Sequence, residues 1–93
     1  MSIVVRHNIA AHRFEAGEAG DLAVCDYEDR DGVWYFTHTY VPDSLRGQRV
    51  AGKLVEFALE TALRERKKIV PACSYVSAFL GRKPKYEILR YEG

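Results

Sequence analysis

Arg46-Gly47-Gln48-Arg49 lies where a strand-and-turn pattern gives way to a helical one. The first N–H groups of a helix have no intrahelical partner, and the helix dipole adds positive potential there. A glycine lets backbone approach a ligand and two arginines supply charge, so the stretch suits a phosphate or pyrophosphate. Its spacing is neither the Rossmann nor the P-loop pattern. A plain turn at Gly47 with solvated arginines fits the spacing equally well. Cys73 follows a short apolar strand and opens a short helix, a position that stabilises a thiolate and makes it a better nucleophile. The competing role is a small buried filler, which free cysteine often plays. His38, on the strand before the turn, is the residue type suited to general-base work near neutral pH. Flanked by Thr37 and Thr39, a strand histidine is more often structural. Cys25 sits in mid-strand and is assigned to packing. His7 and His12 have no partner in view.

Several elements must position these groups. Ile3-Val4-Val5 reads as an N-terminal strand, and residues 11–15 continue it or form the next one. Residues 17–20 carry two glycines and read as a turn. Residues 22–27 alternate, with Ala23, Cys25 and Tyr27 on one side and Leu22, Val24 and Asp26 on the other. Asp29-Arg30-Asp31-Gly32 is a hairpin signal. Residues 33–41 are the strongest strand by aromatic and β-branched content. Bulk on both faces predicts a central strand covered on two sides, ended by Pro42.

Residues 49–67 carry Val50, Leu54, Val55, Ala58, Ala62 and Leu63 at helical steps, which predicts one long helix with one buried face. Glu60 and Arg64 form an i,i+4 pair on its solvated side. Ile69-Val70 is a short buried strand stopped by Pro71. Residues 74–80 predict a short helix with Tyr75, Val76 and Phe79 inward, and Pro84 opens a last turn carrying Tyr86, Ile88 and Leu89. The order predicts an α+β fold: a curved, mostly antiparallel sheet, one long helix after the central strand, and short C-terminal helices. The crossover places the Ile69 strand parallel to the Trp34 strand.

A chain of 93 residues predicts one domain, spanning 1–93, that buries roughly 60–65% of its extended-chain surface. Any substrate site is then shallow or supplied by a partner. With 14 basic and 13 acidic residues the net charge is +1, a balance that argues against a nucleic-acid partner. No basic-then-apolar leader and no membrane-length apolar run stand in the sequence, so a cytoplasmic protein with reduced thiols is expected. Cys25 and Cys73 show neither metal-ligand spacing nor a disulfide framework, so no metal is expected.

The run Arg46-Gly47-Gln48-Arg49-Val50-Ala51 resembles motif A of the GCN5-related N-acetyltransferases, Gln/Arg-x-x-Gly-x-Gly/Ala. Arg46 takes the first position and Ala51 the last, while Arg49 stands where glycine is usual; its backbone N–H remains, and its side chain could add a charge to a phosphate. Gly52 is a separate small residue inside the helix. "RFEAGEAGDLAVCDYE", "THTYVPDSLRGQRVAGKLV" and "IVPACSYVSAFLGRKPKYEIL" together resemble the very small members of that family that have a cysteine in the acetyl-coenzyme A site, over residues 13–89. The family's Pro-x-Cys-x-Tyr element is Pro71, Cys73 and Tyr75. Its basic-Pro-acidic-Tyr element is altered, with Lys85 before Tyr86.

The resemblance implies acetyl-coenzyme A or coenzyme A as cosubstrate, an amine acceptor (a small molecule or a protein), and no obvious acceptor pocket. It implies cofactor contacts at Val41, Arg46, Gly47, Gln48, Arg49, Val50, Ala51, Gly52 and Lys53, with the pantetheine arm between the parting fourth and fifth strands. It implies Cys73 as the carrier of an acetyl-cysteine and Tyr75 as the acid that protonates departing thiolate; His38 is the candidate base on its residue type alone. A tyrosine at that spacing is otherwise a core residue with a satisfied hydroxyl. Arg82, Lys83 and Lys85 could meet the nucleotide's phosphates or remain a solvated charge run. The alternatives to an N-acetyltransferase are a non-catalytic coenzyme A-binding or regulatory module and an interaction domain without a ligand.

Overall fold

The computed structural model describes residues 3–93. Four antiparallel strands, β1 (Val5–Asn8), β2 (Arg13–Glu18), β3 (Asp21–Arg30) and β4 (Val33–Tyr40), lead through a 3-10 turn (Asp43–Leu45) into α1 (Val50–Arg64). Then come β5 (Lys68–Pro71), α2 (Ser74–Arg82) and a 3-10 segment (Pro84–Leu89). The sheet order is β1-β2-β3-β4-β5, with β5 parallel to β4 as the crossover requires. The α+β architecture expected from the element order is therefore the observed one. The β3–β4 hairpin turns through Asp31 (φ 54°) and Gly32 (φ 83°), both in the left-handed region that a tight two-residue hairpin requires. The Asp29 carboxylate accepts the Gly32 N–H at 3.0 Å and fixes the turn.

One face of the sheet carries Phe14, Ala16, Ala23, Cys25, Tyr27, Trp34 and Phe36, all buried against Val50, Leu54, Val55, Ala58, Leu59 and Ala62 of α1. The helix face differs from the expected one at Leu63, which is exposed, while Leu59 and Thr61 are buried. Leu63 lies about two and a half turns beyond Leu54 and so points the other way. Thr61 enters the apolar face because its hydroxyl donates to the Phe57 carbonyl at 2.8 Å. Glu60 does not pair with Arg64. It accepts the Tyr86 hydroxyl at 2.6 Å and the Lys85 ammonium at 3.0 Å, because the buried tyrosine of the last segment needs an acceptor for its O–H. Ile88 faces solvent rather than the core.

Two expectations about the strands are corrected. The N-terminal strand starts at Val5, and Ile3 and Val4 precede it. The strand from Val33 is interior but fourth in order, β3 being the middle strand, and it is covered on one face only. Its aromatic Tyr35 and Tyr40 lie on the other side, half-buried and exposed. A register shift explains the difference: Tyr27 pairs with Phe36 and Asp26 with His38, so Thr37 is an extra residue in β4. Such a bulge reverses the in–out alternation beyond it. Thr37 and His38 are both exposed, and Thr39 returns to the helix side opposite Cys25. Among the described residues no helix is long and apolar enough to cross a membrane.

Candidate functional site

β4 outruns β5. Their pairing ends at Phe36 and Pro71, and the Cys73 N–H then donates to the Phe36 carbonyl at 2.7 Å as the chain leaves the sheet. From Thr37 to Tyr40, β4 has β3 on one side and, among the described residues, no strand on the other. Cys73 is thereby held at the point where the two parallel strands part.

At the far end of β4, the 3-10 turn closes through Leu45 N–H to the Pro42 carbonyl at 3.0 Å and Arg46 N–H to the Asp43 carbonyl at 3.2 Å. Gly47 (φ 83°) and Arg49 (φ 59°) then swing the backbone into α1 through two left-handed residues. No side chain caps α1, and its first bond is Lys53 N–H to the Arg49 carbonyl at 3.1 Å. Among the described residues no backbone carbonyl meets the N–H groups of residues 47–52. These donors open on a recess of about 160 Å³ walled by Val41, Leu45, Arg46, Gly47, Arg49, Val50, Ala51, Gly52 and Tyr75. Free donors at the positive end of a helix are suited to an anion.

The expected cofactor residues divide in three. Val41, Arg46, Gly47, Arg49, Val50, Ala51 and Gly52 surround this recess. Lys53 lines the neighbouring groove between α1 and α2. Gln48 turns away: its amide donates to the Ser44 carbonyl at 3.4 Å, and it borders a different cavity beside β2 and β3. The Arg46 guanidinium is occupied in holding the turn, donating to the Val41 carbonyl at 3.2 Å and pairing with Asp43 at 3.3 Å. Leu45 was not anticipated. Its signal is a lone apolar residue within an otherwise polar turn.

Cys73 is the N-cap residue of α2, and its carbonyl accepts the Ser77 N–H at 3.0 Å. Its sulfur lies 3.5 Å from the Thr39 hydroxyl, which is in turn 3.8 Å from the sulfur of Cys25. Partial burial opposes ionisation of Cys73. The Thr39 hydroxyl and the backbone N–H groups of Val76, Tyr75 and Thr39 outweigh that cost and hold its pKa below the ordinary thiol value. The sulfur makes no regular capping hydrogen bond, so the helix amides act by proximity and dipole. Cys25 is fully buried, and desolvation pushes its thiol up to about 12. Two thiols sharing one hydroxyl thus differ sharply in reactivity. Thr39 was also not anticipated, because only the bulge in β4 brings it to Cys73.

Tyr75 joins the two halves of the site. It stands two residues beyond Cys73 and forms a wall of the α1 recess, and a methyl group on Gly52 would come 3.7 Å from its hydroxyl. His38 is not brought to Cys73. It pairs across the sheet with Asp26 and stacks parallel to Tyr40 at 6.5 Å, exposed on the open side of the bulge. Among the described residues no group of three or more His, Cys, Asp or Glu side chains is placed to hold a metal.

Comparisons with known proteins bear on the family and the fold. The sequence profile described as GCN5-related N-acetyl-transferase matches residues 13–89. The solution structure of a GCN5-like N-acetyltransferase candidate from Staphylococcus aureus superposes with a TM-score of 0.75 at 26% identity, covering 100% of this chain and 93% of that one. The matched span includes β4, α1, β5 and α2, which frame the recess and carry Cys73. This chain belongs to the GCN5-related N-acetyltransferase family.

Proposed function

We propose that the protein binds acetyl-coenzyme A and transfers the acetyl group to an amine by way of an acetyl-cysteine at Cys73. The observation that carries this reading is one continuous layout. Unpaired amides of residues 47–52 face a recess at one end, Tyr75 forms its wall, and Cys73 with its lowered pKa stands where β4 and β5 part. The pyrophosphate would take the amides, and the pantetheine arm would run along the unpaired edge of β4 toward the sulfur. The Cys73 thiolate attacks the thioester carbonyl, the bond to the cofactor sulfur breaks, and coenzyme A leaves with a proton from Tyr75. An amine then attacks the acetyl-cysteine; an amide forms, the Cys73 thiolate returns, and the amine's proton passes through water to restore the Tyr75 hydroxyl. This order needs only one substrate in the site at a time, which suits a chain of 93 residues.

A second reading has one observation in its favour. Neither Cys73 nor His38 lines the α1 recess or the adjoining groove, so neither of these two cavities encloses the sulfur. A module that binds coenzyme A without turnover fits that feature. Intact mass spectrometry after incubation with acetyl-coenzyme A separates the two. A gain of one acetyl group, absent in Cys73→Ala, supports the acyl-enzyme. Unchanged amine acetylation by Cys73→Ala would leave only direct transfer, and cofactor binding without any transfer would leave the module.

A further inference from the structure

The sheet has two edges, and the fold treats them differently. The β5 edge is met by the end of the chain: Ile69 bridges to Arg90, and the Tyr91 N–H donates to the Ile69 carbonyl at 2.8 Å. β1 pairs with β2 on one side and, among the described residues, with no strand on the other. Proteins commonly blunt such an edge with proline, lysine, a bulge or a covering segment. β1 holds neither proline nor lysine, and its register with β2 is continuous. Its Arg6 is turned back over the sheet, donating to the Gly17 carbonyl at 3.0 Å and pairing with Glu15 at 3.4 Å. Among the described residues three large apolar side chains stand out by exposure: Val4 at 71%, Ile88 at 69% and Ile9 at 67%. Two of them, Val4 and Ile9, flank the two ends of β1. Against the same strand lies a groove of about 480 Å³ whose apolar lining is Ile3, Val5 and Phe57, with the Lys85–Glu60 ion pair among its charged walls.

We propose that the β1 edge is a self-association surface whose occupant is a second copy of this chain, joined antiparallel across a two-fold axis at His7. A two-fold axis normal to the sheet keeps the helix-bearing faces of both copies on one side, so residues that meet belong to the same face. Centred on His7, the axis sets Arg6 against Asn8 and Val5 against Ile9. Centred one residue earlier, it would set Arg6 against its own copy, a like-charge pair that costs stability. Centred one residue later, Arg6 and Val5 would fall opposite turn residues rather than strand. His7 meets its own copy as a neutral ring near pH 7, because burial lowers its pKa. Val5 lies on the α1 side in the groove with Phe57, and His7 stacks on Phe14 of that face at 4.2 Å. Ile9 comes next in the same alternation. The exposed Ile9 of each copy is therefore brought beside Val5, at the mouth of the other copy's groove. Knob and groove stand ~14 Å apart along the edge, and antiparallel pairing joins each to the other twice. A strand of 4 residues buries less than the ~800 Å² per partner of a standard interface, so the dimer forms reversibly and only at high concentration. β1 is at the opposite edge of the sheet from β5, so a partner there leaves the α1 recess and Cys73 open.

Sedimentation equilibrium of the whole chain, from about 10 μM to about 1 mM, tests it in wild type, Ile9→Lys and Ile88→Lys. Ile9 and Ile88 are similarly exposed, and a thermal melt verifies that both variants remain folded. Ile88→Lys removes an equally exposed apolar side chain away from the β1 edge. Wild type and Ile88→Lys are expected to rise with concentration from 10.6 kDa toward twice that mass. Ile9→Lys is expected to raise the dissociation constant at least about tenfold, since each dimer loses two apolar contacts. A wild type that stays monomeric to the highest concentration overturns the proposal, as does a dimer that Ile9→Lys leaves unweakened. An equal loss in Ile88→Lys overturns it too, because the association would then not belong to the β1 edge.

Discussion

The Thr39 hydroxyl touches two sulfurs whose burial differs, 3.5 Å from Cys73 and 3.8 Å from Cys25. Cys73 is half-exposed with its pKa lowered, and Cys25 is sealed with its pKa at about 12. Since the thiolate is the reactive form, iodoacetamide near neutral pH should alkylate Cys73 and leave Cys25 untouched in the folded protein, as peptide mapping would show. The alkylation rate should rise with pH through a midpoint below that of an ordinary thiol. In Thr39→Val the midpoint should move up and the neutral-pH rate fall by about tenfold, the scale of one hydrogen bond to a charged group. An unchanged pH profile in Thr39→Val would show that the hydroxyl does not act on the sulfur. This residue was illegible in the sequence because its partner lies 34 positions away and its direction depends on the bulge at Thr37. Cys73 itself was legible, being fixed by the local order of a short strand followed by a helix start.

Between β4 and α1 the chain turns on two left-handed residues, Gly47 at φ 83° and Arg49 at φ 59°. Only glycine occupies that region without steric cost. Gly47→Ala should therefore destabilise the protein by about 1 kcal/mol, although a methyl group there would meet no atom within 4 Å. Arg49→Gly should stabilise it by up to about 1 kcal/mol, the strain relieved less the entropy that glycine adds to the unfolded chain. Urea unfolding measures both, and opposite signs for the two variants are the expected result. Equal losses would place the strain elsewhere. The long helix and the Asp-Gly hairpin were readable because their signals are local: helical steps of apolar residues and a turn type that favours glycine. The coverage of β4 was not. Every residue of Val-Trp-Tyr-Phe-Thr-His-Thr-Tyr fits a strand, and composition cannot reveal an inserted residue that reverses the alternation. The choice of Leu59 over Leu63 was likewise decided by the rotation of α1 against the sheet, a tertiary fact.

For the molecule as a whole, the titrating groups of the core make stability depend on alkaline pH. Burial pushes Cys25 from an ordinary 9.0 to about 12, Tyr27 from 10.0 to about 12, and Tyr86 from 10.0 to about 12, the last with help from the Glu60 carboxylate that accepts its proton. Each holds its proton more tightly in the fold than in the unfolded chain. Their contribution is complete below the ordinary values and is lost as pH rises toward 12, because the unfolded chain releases the protons first. Once the unfolded Cys25 thiol ionises, that group alone removes about 1.4 kcal/mol per pH unit. Tm should therefore fall steeply above about pH 9, and a level Tm across that interval would contradict the buried thiol and phenols. The central claim is that the free amides opening α1 hold the diphosphate of coenzyme A with its sulfur directed to Cys73. In a protein of 10.6 kDa, the amide resonances can be followed one by one through a titration with coenzyme A. The account predicts saturable shifts centred on Gly47, Arg49, Val50 and Ala51, with a second set at Thr39 and Cys73. Shifts confined to other surfaces, or none at millimolar coenzyme A, would contradict it.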